Sequence, residues 1–148
     1  ALDLSVLIVI AASFALGTAM SQTGAAALVS QGLFGLVGNN PEPWLALALV
    51  YLLTTFFTEF ITNNAAAVLM FPIAQAVAAQ LGVSILPFAI AIMFAASASF
   101  MTPLGYQTNL MVMGPGGYRF LDYVRVGAPL SVLVAVSSLW LIPQVWSF

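Results

Sequence analysis

Two long stretches without a single charged residue limit what this sequence can fold into. The first lies between Asp3 and Glu42, and the second lies between Glu59 and Arg119. Charged residues make up 4% of the 148-residue chain, whereas about a quarter of the residues of a soluble domain are charged. Each stretch is long enough for more than one bilayer crossing, at roughly 20 residues per crossing. The sequence therefore predicts an all-α membrane protein whose surroundings are the lipid bilayer.

Composition also excludes several classes of function. The chain has no Cys and no His, which excludes disulfides, thiol chemistry and the commonest transition-metal ligands. The two basic residues are too few to form a basic patch for nucleic acid. The sequence has no pattern of a nucleophile with its base, so nothing in it indicates an enzyme. The chain starts at Ala1 without the basic segment of a signal peptide, so we expect a piece of a longer membrane protein or a processed chain.

Apolar runs at both ends of the chain predict helices. Residues 4–20 predict a transmembrane helix that ends near Gly17, and the shorter run 24–37 favours an interfacial helix. A turn that contains two prolines follows at residues 38–43. Residues 126–146 predict the final transmembrane helix.

A polar segment at residues 58–64, here called the tip, interrupts the middle of the chain. Apolar runs flank the tip at residues 44–57 and 65–81. One reading is a single bent helix of nearly 40 residues, which is longer than a bilayer crossing. We favour the other reading, a re-entrant helical hairpin over residues 44–81 whose tip lies inside the membrane.

A second interruption predicts a broken helix over residues 85–115. Pro103 removes a backbone donor, and Gly105 tolerates unusual backbone dihedrals. Unwound backbone at membrane depth is tolerated where it is buried or lines a polar cavity. The alternative is a simple proline kink, satisfied by the hydroxyls of Ser97 and Ser99.

Several polar groups of the tip are candidates for ion or anion binding. A carboxylate in an apolar region is a functional candidate by default, but Glu59 could instead hydrogen-bond nearby backbone and shape the site without touching a ligand. Thr62, Asn63 and Asn64 could cap a helix or coordinate a hard cation, and asparagine amides can donate to an anion. Thr58 precedes Thr62 by one helical turn, and positions i and i+4 place these two residues on one face.

The second interruption offers complementary groups. The carbonyls freed between Thr102 and Gly105, around Pro103, are candidate Na⁺ ligands. The positive end of the resumed half-helix, opened by Thr108 and Asn109, suits an anionic oxygen. Two interruptions of this kind are typical of a transporter site at the membrane midplane.

The only two basic residues predict the orientation of the last helix. Arg119 and Arg125 both lie in the polar connection of residues 118–125. Because cytoplasmic loops carry an excess of basic residues, we expect this connection in the cytoplasm and the C-terminus outside.

The sequences around both interruptions resemble motifs in the C-terminal half of proteins of the divalent anion:sodium symporter family, which belongs to the ion transporter superfamily. The similarity is closest to the bacterial and algal branch that carries cytosolic regulatory domains between its two membrane halves. It covers most of the chain and rests on three motifs: Glu59-Phe60-Ile61-Thr62-Asn63-Asn64-Ala65-Ala66-Ala67 with Phe71-Pro72-Ile73, Ser99-Phe100-Met101-Thr102-Pro103-Leu104-Gly105-Tyr106-Gln107-Thr108-Asn109, and Gly114-Pro115-Gly116-Gly117-Tyr118.

The resemblance implies an architecture and partners. It implies that the chain is one of two inverted repeats, which pairs with an N-terminal half of the same transporter. It also implies a re-entrant hairpin and a broken helix that move as an elevator against a scaffold, and that scaffold makes a homodimer. We expect an integral protein of the bacterial inner (plasma) membrane.

The resemblance further implies roles for individual residues. By position, Thr58, Thr62, Asn63 and the Gly105 carbonyl correspond to Na⁺ ligands, and Asn63 also serves the substrate. Asn64 stands where the family has a threonine, and the loop beside it reads Tyr106-Gln107-Thr108-Asn109 where dicarboxylate carriers tend to have Thr-Pro-Pro-Asn. Both departures fall at substrate-facing positions, so sulfate and dicarboxylates stay equally open.

The function expected from these observations is secondary active, Na⁺-coupled transport of a small divalent anion. Asn63, Asn64, Thr108 and Asn109 are the expected substrate contacts, with Glu59 and Pro103 as supporting residues. Two alternatives stay open: an oxyanion efflux permease that needs no Na⁺, and a non-transporting membrane assembly module in which both interruptions only serve packing.

Overall fold

The structure is a computed structural model that describes residues 4–37 and 41–148. Asp3 and residues 38–40 of the predicted proline turn lie outside the described residues. Every regular element in the described part of the chain is a helix, which confirms the predicted all-α fold. The helices are α1 (Leu4–Gln22), α2 (Ala25–Val37), α3 (Pro43–Thr58), α4 (Asn63–Leu81), α5 (Leu86–Ser97), α6 (Gln107–Met113) and α7 (Phe120–Val145).

The tip separates two helices that pack against each other, so residues 43–81 form a helical hairpin and not one bent helix. α3 ends at Thr58 and α4 begins at Asn63, two residues earlier than the apolar run indicates. Thr62 is the N-cap of α4, and its hydroxyl accepts a hydrogen bond from the Ala65 N–H at 3.3 Å. The idea that Thr58 and Thr62 share a helical face is therefore wrong, because the helix does not continue between them.

The predicted broken helix is two helices, α5 and α6, joined by residues 98–106, here called the break. Pro87 lies in the first turn of α5, where its missing N–H costs nothing. α6 begins at Gln107, earlier than the apolar run that resumes at Leu110. Nine residues without helical backbone are more than a proline kink requires.

The hydrophobic core lies between the hairpin and α5. Its largest fully buried side chains include Leu47 and Tyr51 from α3, Met70 from α4 and Phe88 from α5. α1 and α2 pack on α4, whereas α7 packs on α3 and α5. This core fixes the hairpin relative to α5, and it therefore fixes the tip relative to the break.

The last helix begins at Phe120, six residues before the start of the predicted span at Val126. The physical reason is a cap: the Asp122 carboxylate accepts a hydrogen bond from the Arg119 N–H at 2.7 Å. Residues 120–125 of the expected polar connection therefore form the first turns of α7, and Arg125 lies within the helix. α1 likewise continues past Gly17, to Gln22.

Two helices in the described residues are long and apolar enough to cross a membrane by length and composition: α4 with 19 residues and α7 with 26. Their mean hydropathies are 1.4 and 1.8. α7 exposes a row of large apolar side chains, among them Val132, Leu133, Val136 and Trp140. These side chains suit contact with lipid or with further transmembrane helices.

Candidate ion and anion site

The tip and the start of α6 face each other across an open cleft of about 470 Å³. One wall comes from the start of α4, the opposite wall comes from the end of the break and the start of α6, and α1 adds an apolar side. The lining residues are Ala12, Leu16, Thr62, Asn63, Asn64, Ala65, Val68, Gly105, Tyr106, Gln107 and Thr108. Five residues predicted for the site therefore line one cleft: Thr62, Asn63, Asn64, Gly105 and Thr108.

The first wall presents polar groups at the N-terminus of a long helix. Thr62 and Asn64 are exposed and Asn63 is half-buried. The Asn63 Oδ1 accepts a hydrogen bond from the Asn64 N–H at 2.8 Å, and so its amide group is held at the helix start. The N-terminus of a helix carries a partial positive charge, which favours an anion in front of α4. Hydroxyl and amide oxygens on the same wall are suitable ligands for a hard cation.

The second wall is held in place by a close backbone approach between Gly105 and Thr58, at the end of α3. A Cβ atom at this position would lie 2.0 Å from the Thr58 carbonyl oxygen and 2.1 Å from the Ser99 Oγ. Only glycine can occupy this position without displacing the break. The Ser99 hydroxyl donates a hydrogen bond to that same Thr58 carbonyl at 3.1 Å, so the end of α3 contacts the break directly.

Glu59 joins the tip to the break through its carboxylate. The side chain is 3% exposed. Its Oε1 accepts hydrogen bonds from the Phe100 and Met101 N–H groups, both at 3.1 Å, and its Oε2 accepts from the Thr102 N–H at 2.7 Å. The Thr102 hydroxyl donates to the Glu59 carbonyl at 2.5 Å. Three backbone donors thus satisfy the buried carboxylate, and Glu59 is not among the described residues that line the cleft.

Three other predicted site residues point their groups into the protein. The Thr58 hydroxyl is fully buried and donates to the Ala96 carbonyl at 2.7 Å. The Asn109 amide donates to the carbonyls of Ser99 at 3.2 Å and Thr102 at 3.4 Å. Pro103 is fully buried in the break. None of these three is among the described residues that line the cleft.

The structure brings further residues to the cleft, and sequence reasoning missed two of them, Ala12 and Leu16. Tyr106 and Gln107 line the cleft and are exposed, and Ala12 and Leu16 of α1 form its apolar side. The polar signal of Gln107 was visible within the second interruption. The contribution of α1 carried no local signal, because two apolar residues on an apolar helix look the same whether they face lipid or a cleft.

Comparisons with known proteins identify the family. The family model described as citrate transporter, CitMHS, matches residues 1–148. The chain is 47% identical over 133 residues to an uncharacterized transporter of Synechocystis, which covers 90% of the chain and 22% of that protein. It is 39% identical to an uncharacterized transporter of Escherichia coli, with 96% of the chain and 23% of that protein covered.

A relative with a named activity is more distant. The chain is 36% identical over 131 residues to sodium/sulfate cotransporter 2 of Chlamydomonas reinhardtii, which covers 88% of the chain and 15% of that protein. The chain thus spans less than a quarter of the length of these three relatives. The resemblance drawn from the two interruptions is confirmed, and the family that matches is one of transporters and not of enzymes. The chain belongs to the citrate transporter family, a family of integral membrane transporters.

Proposed function

We propose that this chain forms one half of a Na⁺-coupled transporter for a small divalent anion, either sulfate or a dicarboxylate. The N-terminal half of the same protein supplies the opposite side of the cleft and the second repeat. The hairpin, the break and α6 move together as an elevator relative to a scaffold that forms a homodimer. The protein lies in the bacterial inner (plasma) membrane with its C-terminus outside.

The observation that carries this proposal is the convergence of two polar walls on one cleft. Thr62 and Asn63 offer oxygens to a cation, and the start of α4 and the amides of Asn63 and Asn64 offer donors to an anion. Thr108 adds a hydroxyl from the opposite wall. A cation and an anion bound side by side offset each other's charge, which makes their joint binding more favourable than that of either alone.

Two further observations favour Na⁺ over a proton as the coupling ion. Both oxygens of Glu59 already face backbone N–H donors, and the side chain does not line the cleft in the described part of the chain. Glu59 is therefore poorly placed to carry a proton to the substrate. The sodium/sulfate cotransporters of Chlamydomonas reinhardtii, at 34–36% identity, are named for coupling to sodium.

The test is uptake of labelled sulfate and labelled succinate into proteoliposomes of the complete protein, with and without a Na⁺ gradient. We expect uptake of at least one anion to require the Na⁺ gradient. Uptake that instead follows a pH gradient would contradict Na⁺ coupling. Uptake without any cation gradient would favour the Na⁺-independent oxyanion permease.

The variant Asn63→Ala tests the cleft itself. It removes an amide that both ligands are proposed to contact, so we expect the apparent affinity to fall about 10- to 100-fold at unchanged folding. The matched control is Gln144→Ala, which removes an exposed amide whose hydrogen bond, to the Trp140 carbonyl, stays within α7. Full transport by Asn63→Ala would exclude the tip from the site.

A further inference from the structure

We propose that Glu59 is a positioning residue that fixes the two walls of the cleft relative to each other, so that a cation bound at the tip also orders the wall formed by residues 105–108. This proposal rests on the function proposed above for the cation. The observation behind it is that one buried carboxylate accepts three successive backbone N–H groups of the break, those of Phe100, Met101 and Thr102. These bonds are here called the Glu59 network.

The position of the network in the chain connects it to both walls. Glu59 precedes Thr62 by three residues, and Thr102 precedes Gly105 by three residues. Residues 59–62 run from the network to the first wall of the cleft, and residues 102–105 run from the network to the second wall. The hydroxyl of Thr102 adds a further bond to the Glu59 carbonyl, so the segments are joined by both the backbone and the side chain of this residue. These bonds hold the two segments together three residues before each wall.

The chemistry of the network requires a carboxylate. Three converging N–H donors need a group with two acceptor oxygens and no donor, which glutamine does not provide. In Glu59→Gln one acceptor is replaced by an NH₂ group that faces N–H groups of the break. At least one N–H group of the break then loses its acceptor, and the bonds that remain are made to a neutral group, which weakens the connection between the tip and the break.

The first experiment measures the distance between the walls without reference to Na⁺. Spin labels are attached to cysteines introduced at Ala65 and Tyr106, one on each wall, in the complete protein. We expect electron paramagnetic resonance to give a narrow distance distribution in the parent and a broad one in Glu59→Gln. The matched control is Glu42→Gln, because Glu42 is exposed and makes no side-chain cap bond at the start of α3. An unchanged distribution in Glu59→Gln overturns the proposal.

The second experiment measures how each wall responds to Na⁺. Thiol labelling of a single cysteine at Ala65 or at Tyr106 is followed as the Na⁺ concentration is raised. In the parent we expect both cysteines to be protected with the same half-saturation. In Glu59→Gln we expect protection at Ala65 to persist with the same half-saturation, and protection at Tyr106 to be lost. Equal loss at both walls would mean that Glu59 acts on cation binding itself, and would overturn a positioning role.

The two experiments separate the possible failures. If Na⁺ protects neither wall of the parent, but the spin-label distance still broadens in Glu59→Gln, then the Na⁺ site fails and the connection between the walls stands. If Glu59→Gln does not fold, Glu59→Asp is the milder variant, since it keeps the charge but shortens the side chain by one methylene, so that the carboxylate no longer reaches all three N–H groups. A distance distribution that is unchanged in Glu59→Asp would then overturn the proposal.

Discussion

Replacing Gly105 by alanine should displace the second wall of the cleft. The added Cβ would lie 2.0 Å from the Thr58 carbonyl oxygen, whereas such contacts are essentially never closer than 3.0 Å, so the backbone must move by about 1 Å or more. The Ser99 hydroxyl must also turn away and lose its bond to the Thr58 carbonyl. Overpacking costs about 1–3 kcal/mol and the lost bond about 1 kcal/mol, so we expect the free energy of unfolding to fall by about 2–4 kcal/mol.

The same displacement should weaken Na⁺ binding, because a site works when its groups are held to within about 0.5 Å. We expect the Na⁺ half-saturation of uptake in proteoliposomes to rise at least about tenfold, with a lower Tm in detergent. The control is Gly114→Ala, where φ is -67° and nothing lies within 4 Å of the added Cβ. If Gly105→Ala and Gly114→Ala give the same Tm and Na⁺ half-saturation, the reasoning from close backbone approach is refuted.

Two other substitutions separate packing from binding. Thr58→Val removes the hydroxyl that donates to the Ala96 carbonyl, so we expect the free energy of unfolding to fall by about 1–3 kcal/mol. The Na⁺ half-saturation of uptake should stay unchanged. A tenfold rise in that half-saturation would show that Thr58 belongs to the cation site. Gly127→Ala brings a Cβ to 2.0 Å from the Phe100 carbonyl oxygen and should push α7 away from the break, which lowers both Tm and uptake. Gly32→Ala, with nothing within 4 Å, should leave both unchanged, and equal effects of the two substitutions would contradict this account.

The order of the helices could be read from the sequence because its signals are local. Charge-free apolar runs set the helices, and prolines, glycines and polar residues separate them. The start of α7 was predicted too late, because charged residues before Val126 indicate a connection between helices. In the structure the Asp122 carboxylate caps the helix at Arg119. The start of α6 was predicted more closely, since the half-helix expected to open at Thr108 begins one residue earlier, at Gln107.

The sequence alone determined that this chain is a helical membrane segment with two polar interruptions, and it selected nine candidate site residues, of which Thr62, Asn63, Asn64, Gly105 and Thr108 line the cleft. Only the tertiary structure decided which polar groups face the cleft. Thr58 and Asn109 carry the same kinds of groups as Thr62 and Asn63, yet their hydrogen bonds lie within the protein. The partners of Glu59 lie 41 to 43 residues away along the chain. Composition and spacing do not encode such pairings; the packing of the hairpin on α5 produces them by bringing the tip and the break together.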